Sequence, residues 1–377
     1  TNLLIIPVIG FIVVPLALFA VLVMLPVSEA MAGWMLKLAG TLIDGVLPAI
    51  YRIAELPFSS TKTITPSLLE LACGYVLFFS CLMLIKKKGD GSSGEKPKLS
   101  QIFLIMVLAA GILAADIGYV YHQRFRNAHL RVTILDVGQG SAALIELPGG
   151  SRMLIDGGGF SSNKLFDIGK NVVAPFLWHR KIGTLDTVVL SHPDADHLNG
   201  LLYILKHFNV KKVLSTHQEA DSLGYQQFTR TIRDRQIPHP DYANVPRRFQ
   251  INGAAIAILY PPAHKSAGAI KNPNNHSLVL KIEYQGHSIL FPGDIMGASE
   301  KSLAAEAAGD LASTILVAPH HGSKTSNTPQ FLEAVDPELV IVSAGHQNRF
   351  DLPSPCVLER YRAKNYKILD TATNGAL

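Results

Sequence analysis

The chain opens on an apolar stretch. From Thr1 to Ser28 it carries no charged residue, and Leu3 to Leu25 is long enough as a helix to cross a bilayer core, which takes about 20 residues. Pro7 and Pro15 fall inside this run, and membrane helices tolerate such breaks when neighbouring groups satisfy the freed carbonyls. The run has no basic leader and no small-residue cleavage site, so it reads as a spanning helix rather than a signal peptide, and Thr1 as the cut edge of a longer protein. Leu68 to Ile85 and Ile102 to Tyr121 are two further spans, with Asp116 near the far end of the second, read as a carboxylate at the membrane rim. Met31 to Ala54 is intermediate. Lys37, Asp44 and Arg52 are sparse, Gly40, Gly45 and Pro48 interrupt it, and Trp34 and Tyr51 are candidate anchors. An interfacial amphipathic helix is preferred to a fourth span, and the choice inverts the orientation of the first helix only.

After Arg131 the pattern changes to short β-branched runs bounded by Gly, Pro and Asp: RVTILDV, AALIEL, RMLIDGGG, TLDTVVLSH, VKKVLS, AAIAILYPP, HSLVLKIEYQGHSILFPGD, STILVAP and ELVIVSAG. Helical stretches such as LNGLLYILKHF and KSLAAEAAG alternate with them. About ten strands with interspersed helices imply an α/β layered structure with its polar loops collected at strand ends. The division is therefore 1–130, membrane helices, and 131–377, a globular domain.

Composition agrees with two unlike parts. The chain is 48% apolar and 17% charged, which excludes a disordered protein. Its net charge of +5 divides into +3 for residues 1–130 (ten Lys or Arg against seven Asp or Glu) and +2 for the remainder (24 against 22). Bulk charge thus gives no argument for nucleic acid in the second part. Five lysines lie in KKKGDGSSGEKPK at 86–98, which places that loop in the cytoplasm and sends the rest of the chain to the outer side, although Arg124, Arg126 and Arg131 weigh against this. Cys73, Cys81 and Cys356 form no Cys-x-x-Cys pattern. Twelve of the fourteen histidines follow position 131.

The candidate chemistry is in the strand-end loops. TVVLS stops at SHPDADHLNG, which holds His192, Asp194, Asp196 and His197. In an extended segment the first three project to one side, with His197 following as the chain turns into a helix. Four imidazole or carboxylate donors in six residues suit zinc, manganese or iron(II). Capping aspartates at a helix N-terminus would explain one Asp and neither His. Two later loops add Asp294, after SILFPG, and His320 and His321, in APHHGSKTSN; the carboxylate could bridge two ions and the histidines add a ligand and a hydrogen-bond donor.

The set resembles the metallo-β-lactamase superfamily, whose usual metal loop is HxHxDH on an αββα sandwich, and MLIDGGG with Asp156 resembles its first motif, in which the Asp orders the metal loop. ILDVGQG, the HxDxDH variant, NNHSLVL, FPGD and PHHGSKTS together resemble the extracytoplasmic hydrolase domain of ComEC-type DNA-uptake proteins, and NLLIIPVIGFIVVPLALFAVLV resembles the end of their membrane channel. The resemblance implies an αββα sandwich preceded by transmembrane helices, in the bacterial cytoplasmic membrane with the hydrolase outside. It implies one or two divalent ions, zinc or manganese. His192 and Asp194 would serve one ion, Asp196 and His197 the other, Asp294 would bridge, and His320 or His321 would complete the second site. Asp196, His320 and His321 are thereby the catalytic candidates, for attack of activated water on a phosphodiester, with the spare His stabilising the transition state or protonating the leaving group. Partners would be DNA, single-stranded in particular, the membrane and other channel proteins.

Three positions depart from the family pattern. Ser141 stands where DVGQGD continues with Asp, and NRFDLP brings Asp351 and Leu352 where the family has glycine and histidine. Leu352 can neither ligate nor donate a proton, so a catalytically degenerate binding module is an alternative, as is a cell-envelope phosphodiesterase. His276 could supply a further donor, with an exposed strand-edge role preferred; His179, His207, His217, His239, His264, His287 and His346 read as surface or core.

Overall fold

The computed structural model describes residues 2–56, 63–89, 99–163, 166–262 and 272–377. Contacts divide the chain into two units, 1–63 and 64–377. The first begins with α1 (Asn2–Val8) and α2 (Val14–Phe19), joined through π-helical turns at Ile9–Val13 and Ala20–Met24. Pro15 cannot donate to a carbonyl one turn back, and the wider π turn before it makes room for its ring. α3 (Glu29–Glu55) starts where the Ser28 hydroxyl accepts from Met31 N. It is one continuous 27-residue helix, long and apolar enough to cross a membrane, with mean hydropathy 1.3 against 2.9 for Ile5–Met24. The interfacial preference rested on Gly40, Gly45 and Pro48, none of which breaks this helix.

The second unit begins with a hairpin of α4 (Leu68–Gly89) and α5 (Leu99–Phe125), both also of membrane-crossing length and hydropathy. Residues 90–98 of the lysine loop lie outside the described residues, as does His264. Four layers follow. The first sheet has the order β1-β2-β3-β5-β7, from β1 (Arg131–Ile134), β2 (Ala143–Glu146), β3 (Arg152–Ile155), β5 (Thr187–Val189) and β7 (Val213–Leu214). Its helices are α6 (Ala174–His179), α7 (Ala195–His207) and α8 (Leu223–Asp234), while β4 (Thr184–Leu185) pairs with β6 (Asn209–Val210) beside it. The second sheet is β14-β13-β12-β11-β10-β9-β8, built from β8 (Arg248–Ile251), β9 (Ala254–Tyr260), β10 (Val279–Tyr284), β11 (His287–Phe291), β12 (Ile315–Val317), β13 (Leu339–Val342) and β14 (Lys367–Asp370). Its helices are α9 (Gly297–Glu306), α10 (Ala308–Leu311), α11 (Pro329–Val335), α12 (Pro355–Ala363) and the short α13 (Thr371–Asn374).

Side-chain alternation explains the layering. Along β2 and β3, Leu144 and Leu154 turn to Leu198 and Leu201 of α7, while Ile145 and Met153 turn to Ile256, Leu280 and Ile289 of the other sheet. Strands buried on both faces need no polar alternation, which is why AALI and MLI read as unbroken apolar runs. The outer face of the second sheet packs Leu290, Leu316 and Val340 against Leu303, Phe331, Leu332 and Tyr361. This is the αββα sandwich that the sequence implied. The HSLVLKIEYQGHSILF run resolves into the β10–β11 hairpin, turning at Gln285 and Gly286 with φ of 49° and 80°, both of which a type I′ turn requires.

Candidate metal centre

Strands β3, β5, β11, β12 and β13 end on one rim of the sandwich, and the polar residues that follow them meet there. β3 and β5 are parallel, so Asp156 and Ser191-His192 emerge side by side. In the second sheet β11, β12 and β13 are parallel and deliver Asp294, His320-His321 and Ser343 to the same rim. Chains running the same way place their carboxyl ends together, which is where ligands bind in α/β sheets.

The loop after β5 differs from the extended segment read from sequence. α7 begins at Ala195 with Asp194 as its N-cap, so Asp196 and His197 lie in the first helical turn. The Asp194 side chain makes no capping hydrogen bond and stays exposed, 3.7 Å from His192 Nε2. Capping therefore accounts for neither carboxylate. The helix is set down tightly on the DGGG loop, because a Cβ at Gly200 would stand 1.9 Å from the Gly157 carbonyl oxygen.

Two groups of donors result: His192, His197 and Asp294, and Asp196, His197 and His321, each with its ligand atoms within 4.8 Å of one another. Asp294 is central. Its carboxylate lies 3.2 Å from His197 Nε2, 3.6 Å from His321 Nε2, 3.7 Å from His320 Nε2 and 3.8 Å from His192 Nε2. His321 Nε2 is also 3.4 Å from Asp196 Oδ2.

Hydrogen bonding on the far side of each ring fits a cation. His321 Nδ1 faces the Ser343 carbonyl at 2.8 Å and must carry the proton there. His197 Nδ1 donates to Asp156 Oδ2 at 2.8 Å. Ser191 Oγ uses its proton on Asp156 at 2.7 Å, so its lone pair accepts from His192 Nδ1 at 3.0 Å. With every Nδ1 proton held in this way, each ring in its neutral form would present a bare Nε2 lone pair to a cation. Those three Nε2 atoms are buried and have no hydrogen-bond partner among the described residues. Fixing the remote ring nitrogen in this way is how proteins orient histidine ligands.

Electrostatics agree. Burial disfavours the His197 imidazolium, but Asp294 and Asp156 outweigh it and hold its pKa well above the usual value. Burial likewise works against charge on His321, and Asp294 and Asp196 again raise it. Desolvation pushes Asp294 upward, yet His197, His321 and His192 keep it far below the carboxylate range. A site whose carboxylates draw protons onto buried imidazoles also favours a divalent cation. His320 differs: burial is the main influence and lowers its pKa despite Asp294. It stands at the rim, Nε2 3.5 Å from Asn274 Nδ2 and Nδ1 3.4 Å from Thr325 Oγ1.

The remaining candidates lie apart. His276 is buried in the turn Pro273–His276, not exposed at a strand edge, and belongs to neither donor group. A one-turn 3-10 helix before β10 draws it inward. Leu352 is half-buried against the apolar layer between the second sheet and its helices, and its neighbour Pro353 packs on Gly322, where a Cβ would come within 2.6 Å of it. The segment supports the His320-His321 turn and supplies no ligand. Ser141 is tied to the metal loop through its N–H, which donates to Asp196 O at 3.1 Å. Sequence reasoning missed Ser191, Ser343 and Ser277, whose hydroxyl accepts from Asp294 N at 3.0 Å. Serines leave no pattern of their own, though Ser191 and Ser277 each adjoin a singled-out histidine.

Residues 135–346 match the sequence model of the metallo-beta-lactamase superfamily, and residues 1–88 that of the competence protein family. The chain is 26% identical to the ComE operon protein 3 of Bacillus subtilis, over 100% of this chain and 47% of that protein. It is 30% identical to competence protein ComA of Neisseria gonorrhoeae, over 65% of this chain and 31% of that one. Recombination protein 2 of Haemophilus influenzae is 26% identical over 99% of this chain and 45% of its own length. The chain thus spans less than half the length of these relatives. With candidate metal donors at one rim of an αββα sandwich, after helices long and apolar enough to cross a membrane, the chain belongs to the metallo-β-lactamase superfamily and carries a leading region that matches the competence protein family.

Proposed function

We propose that this is a bacterial DNA-uptake protein of the cytoplasmic membrane, whose sandwich domain, from about residue 131, is an extracytoplasmic metal-dependent phosphodiesterase acting on DNA, single-stranded DNA in particular. The observation that carries it is the pair of donor groups around Asp294 in a chain whose leading segment matches competence proteins. His192, Asp194 and Asp294 would hold one divalent ion, and Asp196, His197 and His321 with Asp294 a second; three imidazoles among carboxylates suit zinc or manganese. When bound, such ions activate water and neutralise charge on the attacking and leaving oxygens.

The chain's own groups set the rest. Asp156 and Ser191 keep protons on His197 and His192 Nδ1, so both rings stay aimed at Asp294. His320, whose pKa burial lowers, accepts from Asn274 Nδ2 at Nε2 and donates from Nδ1 to Thr325 Oγ1; a phosphate that displaced Asn274 would let the ring change tautomer and offer Nε2–H to a non-bridging oxygen. The rim faces away from the α4–α5 hairpin, because α5 ends against the β2–β3 turn at the opposite end of β3 from Asp156. Substrate would approach from the side remote from that hairpin.

The test is end-labelled single-stranded DNA with the purified full chain in detergent, across zinc, manganese and magnesium. Cleavage is expected, reduced at least about a hundredfold by Asp196→Ala or His197→Ala together with loss of bound metal. Metal-loaded protein that leaves DNA intact, or activity that survives both substitutions, overturns the nuclease reading. Hydrolysis of a choline phosphodiester in place of DNA would point to an envelope substrate.

A further inference from the structure

At the pole of the sandwich opposite the metal rim, three arginines face one carboxylate and a fourth, Arg124, lies close by. Register places Arg131, Glu146 and Arg152 directly beside one another on β1, β2 and β3. In-register neighbours share a face of the sheet. Arg180, just past α6, donates to Glu146 Oε2 at 2.6 Å, and Arg131 Nη1 lies 3.9 Å from the same oxygen. Arg124, in the last turn of α5, packs its backbone and Cγ against Gly150 in the β2–β3 turn.

Positive charge is in excess there. Glu146 faces Arg131, Arg152 and Arg180, and the nearby Asp186 is committed, accepting from Arg152 N at 2.8 Å and Lys211 Nζ at 2.7 Å. Arg152 is 6% exposed, and its Nη1 has no hydrogen-bond partner among the described residues; Arg124 Nε is buried in the same condition. Desolvation, then repulsion from Arg124, lowers the Arg152 pKa to about 10, so Glu146 does not compensate the charge around it. Buried guanidinium groups are retained when something anionic pairs with them.

The surroundings say what kind of anion. The cluster lies where α5 ends, one to two turns beyond the exposed Tyr119 and Tyr121, and tyrosines of this kind mark headgroup depth. Across the hairpin, the first turn of α4 is held to the same pole by the Glu70–Lys181 ion pair and by Thr65 N donating to Trp178 O. The metal rim is a full strand away, about 10 Å along β3. We propose that Arg124, Arg131 and Arg152 form a binding site for the phosphate of an anionic phospholipid headgroup, with Glu146 holding Arg180 as a positioning residue at its edge. A planar guanidinium presents paired donors to phosphate oxygens, and the site would draw them from a helix end, where the Arg124 guanidinium lies over the Phe125 ring, and from two strands. The lipid would bridge the end of α5 to the β2–β3 turn and clamp the sandwich to the membrane surface.

Thermal unfolding of the full chain in detergent tests this, with titrations of phosphatidylglycerol, phosphatidylcholine, inorganic phosphate and a short single-stranded oligonucleotide. Phosphatidylglycerol should raise Tm saturably and phosphatidylcholine should not. Arg124→Gln and Arg131→Gln should each weaken the apparent affinity about fivefold, as expected for one arginine near an anionic surface. Arg152→Gln should abolish the shift; because a buried site is at risk of misfolding, Arg124→Gln and Arg131→Gln decide the case if it does. Equal shifts with both lipids, or a phosphatidylglycerol shift unchanged in Arg124→Gln and Arg131→Gln, would overturn the site. An arginine-dependent shift with inorganic phosphate or the oligonucleotide equal to that with phosphatidylglycerol would overturn the lipid assignment.

Discussion

His320 and His321 are adjacent in sequence, both at positive φ (51° and 55°), and the tight turn separates their tasks. It pins His321 Nδ1 to the Ser343 carbonyl and leaves His320 at the rim beside Asn274 and Thr325. His321→Gln should therefore strip bound metal. His320→Gln should retain it and lower kcat about a hundredfold, the usual cost of one donor to a developing charge. Metal content and turnover measured on both variants decide this, and the reverse pattern would exchange the two roles. A second histidine effect lies outside the site. His239 stacks on His217 at 3.9 Å and meets Ser215 Oγ at 2.9 Å; burial, reinforced by His217, lowers its pKa from 6.5 to about 4. The unfolded chain takes up this proton first, so its stabilising contribution is full above about 6.5 and is lost as pH falls toward about 4. The loss is about 1–3 kcal/mol, and His239→Gln should flatten that part of the Tm-against-pH curve. Equal slopes for variant and parent would show that His239 is neutral in neither state or in both.

At the scale of elements, α7 is the piece on which the site depends. It starts at Ala195, carries Asp196 and His197 in its first turn and sits on the DGGG loop through Gly200. Gly200→Ala would drive a methyl group into the Gly157 carbonyl and push the helix outward. An overpacked contact of this kind costs about 2 kcal/mol or more. A fall in Tm of several degrees with weakened metal binding is expected, and an unchanged variant would show that the helix seating is loose. The sequence made much of this legible. The β-branched runs mark β1, β2, β3, β5, β7 and β9 to β13, because strands buried on both faces must be apolar throughout. It did not reveal β14 or α12, where KILD and PCVLERYRA are half-exposed and take their form from docking on the second sheet. The donors were legible because His and Asp clustered after a buried strand have little structural use. The start of α7 was not, since Asp194 caps it without a side-chain hydrogen bond. His276 was misplaced for a related reason: a single turn of 3-10 helix, not a propensity, buries it.

For the whole molecule, the α4–α5 hairpin ties sidedness to structure. The start of α4 and the end of α5 both touch the sandwich, through Glu70–Lys181 and through Arg124 on the β2–β3 turn. The lysine loop at 86–98 joins the other ends of the same two helices, so if the hairpin spans the bilayer, loop and sandwich lie on opposite sides. Five lysines in that loop favour the cytoplasm. Arg124, Arg126 and Arg131 were the counter-argument, yet Arg131 is engaged by Glu146 and Arg124 is partly buried against the sandwich. Folded domains translocate largely regardless of their charge, so arginines seated on the sandwich weigh less in setting orientation than five lysines in a short polar loop. Cys356 supplies a native reporter, being exposed on the sandwich at the start of α12. Cys81 lies on α4 within the span, where contact with lipid would keep it from a charged thiol reagent, and Cys73 is buried. A membrane-impermeant maleimide applied to spheroplasts should therefore modify Cys356, with Cys356→Ser as the blank. A cysteine placed at Ser93 in the C356S background should stay unmodified until the membrane is opened. Labelling at 93 in intact spheroplasts, with Cys356 protected, would invert the topology, put the candidate metal rim on the cytoplasmic side and overturn the extracytoplasmic placement proposed above.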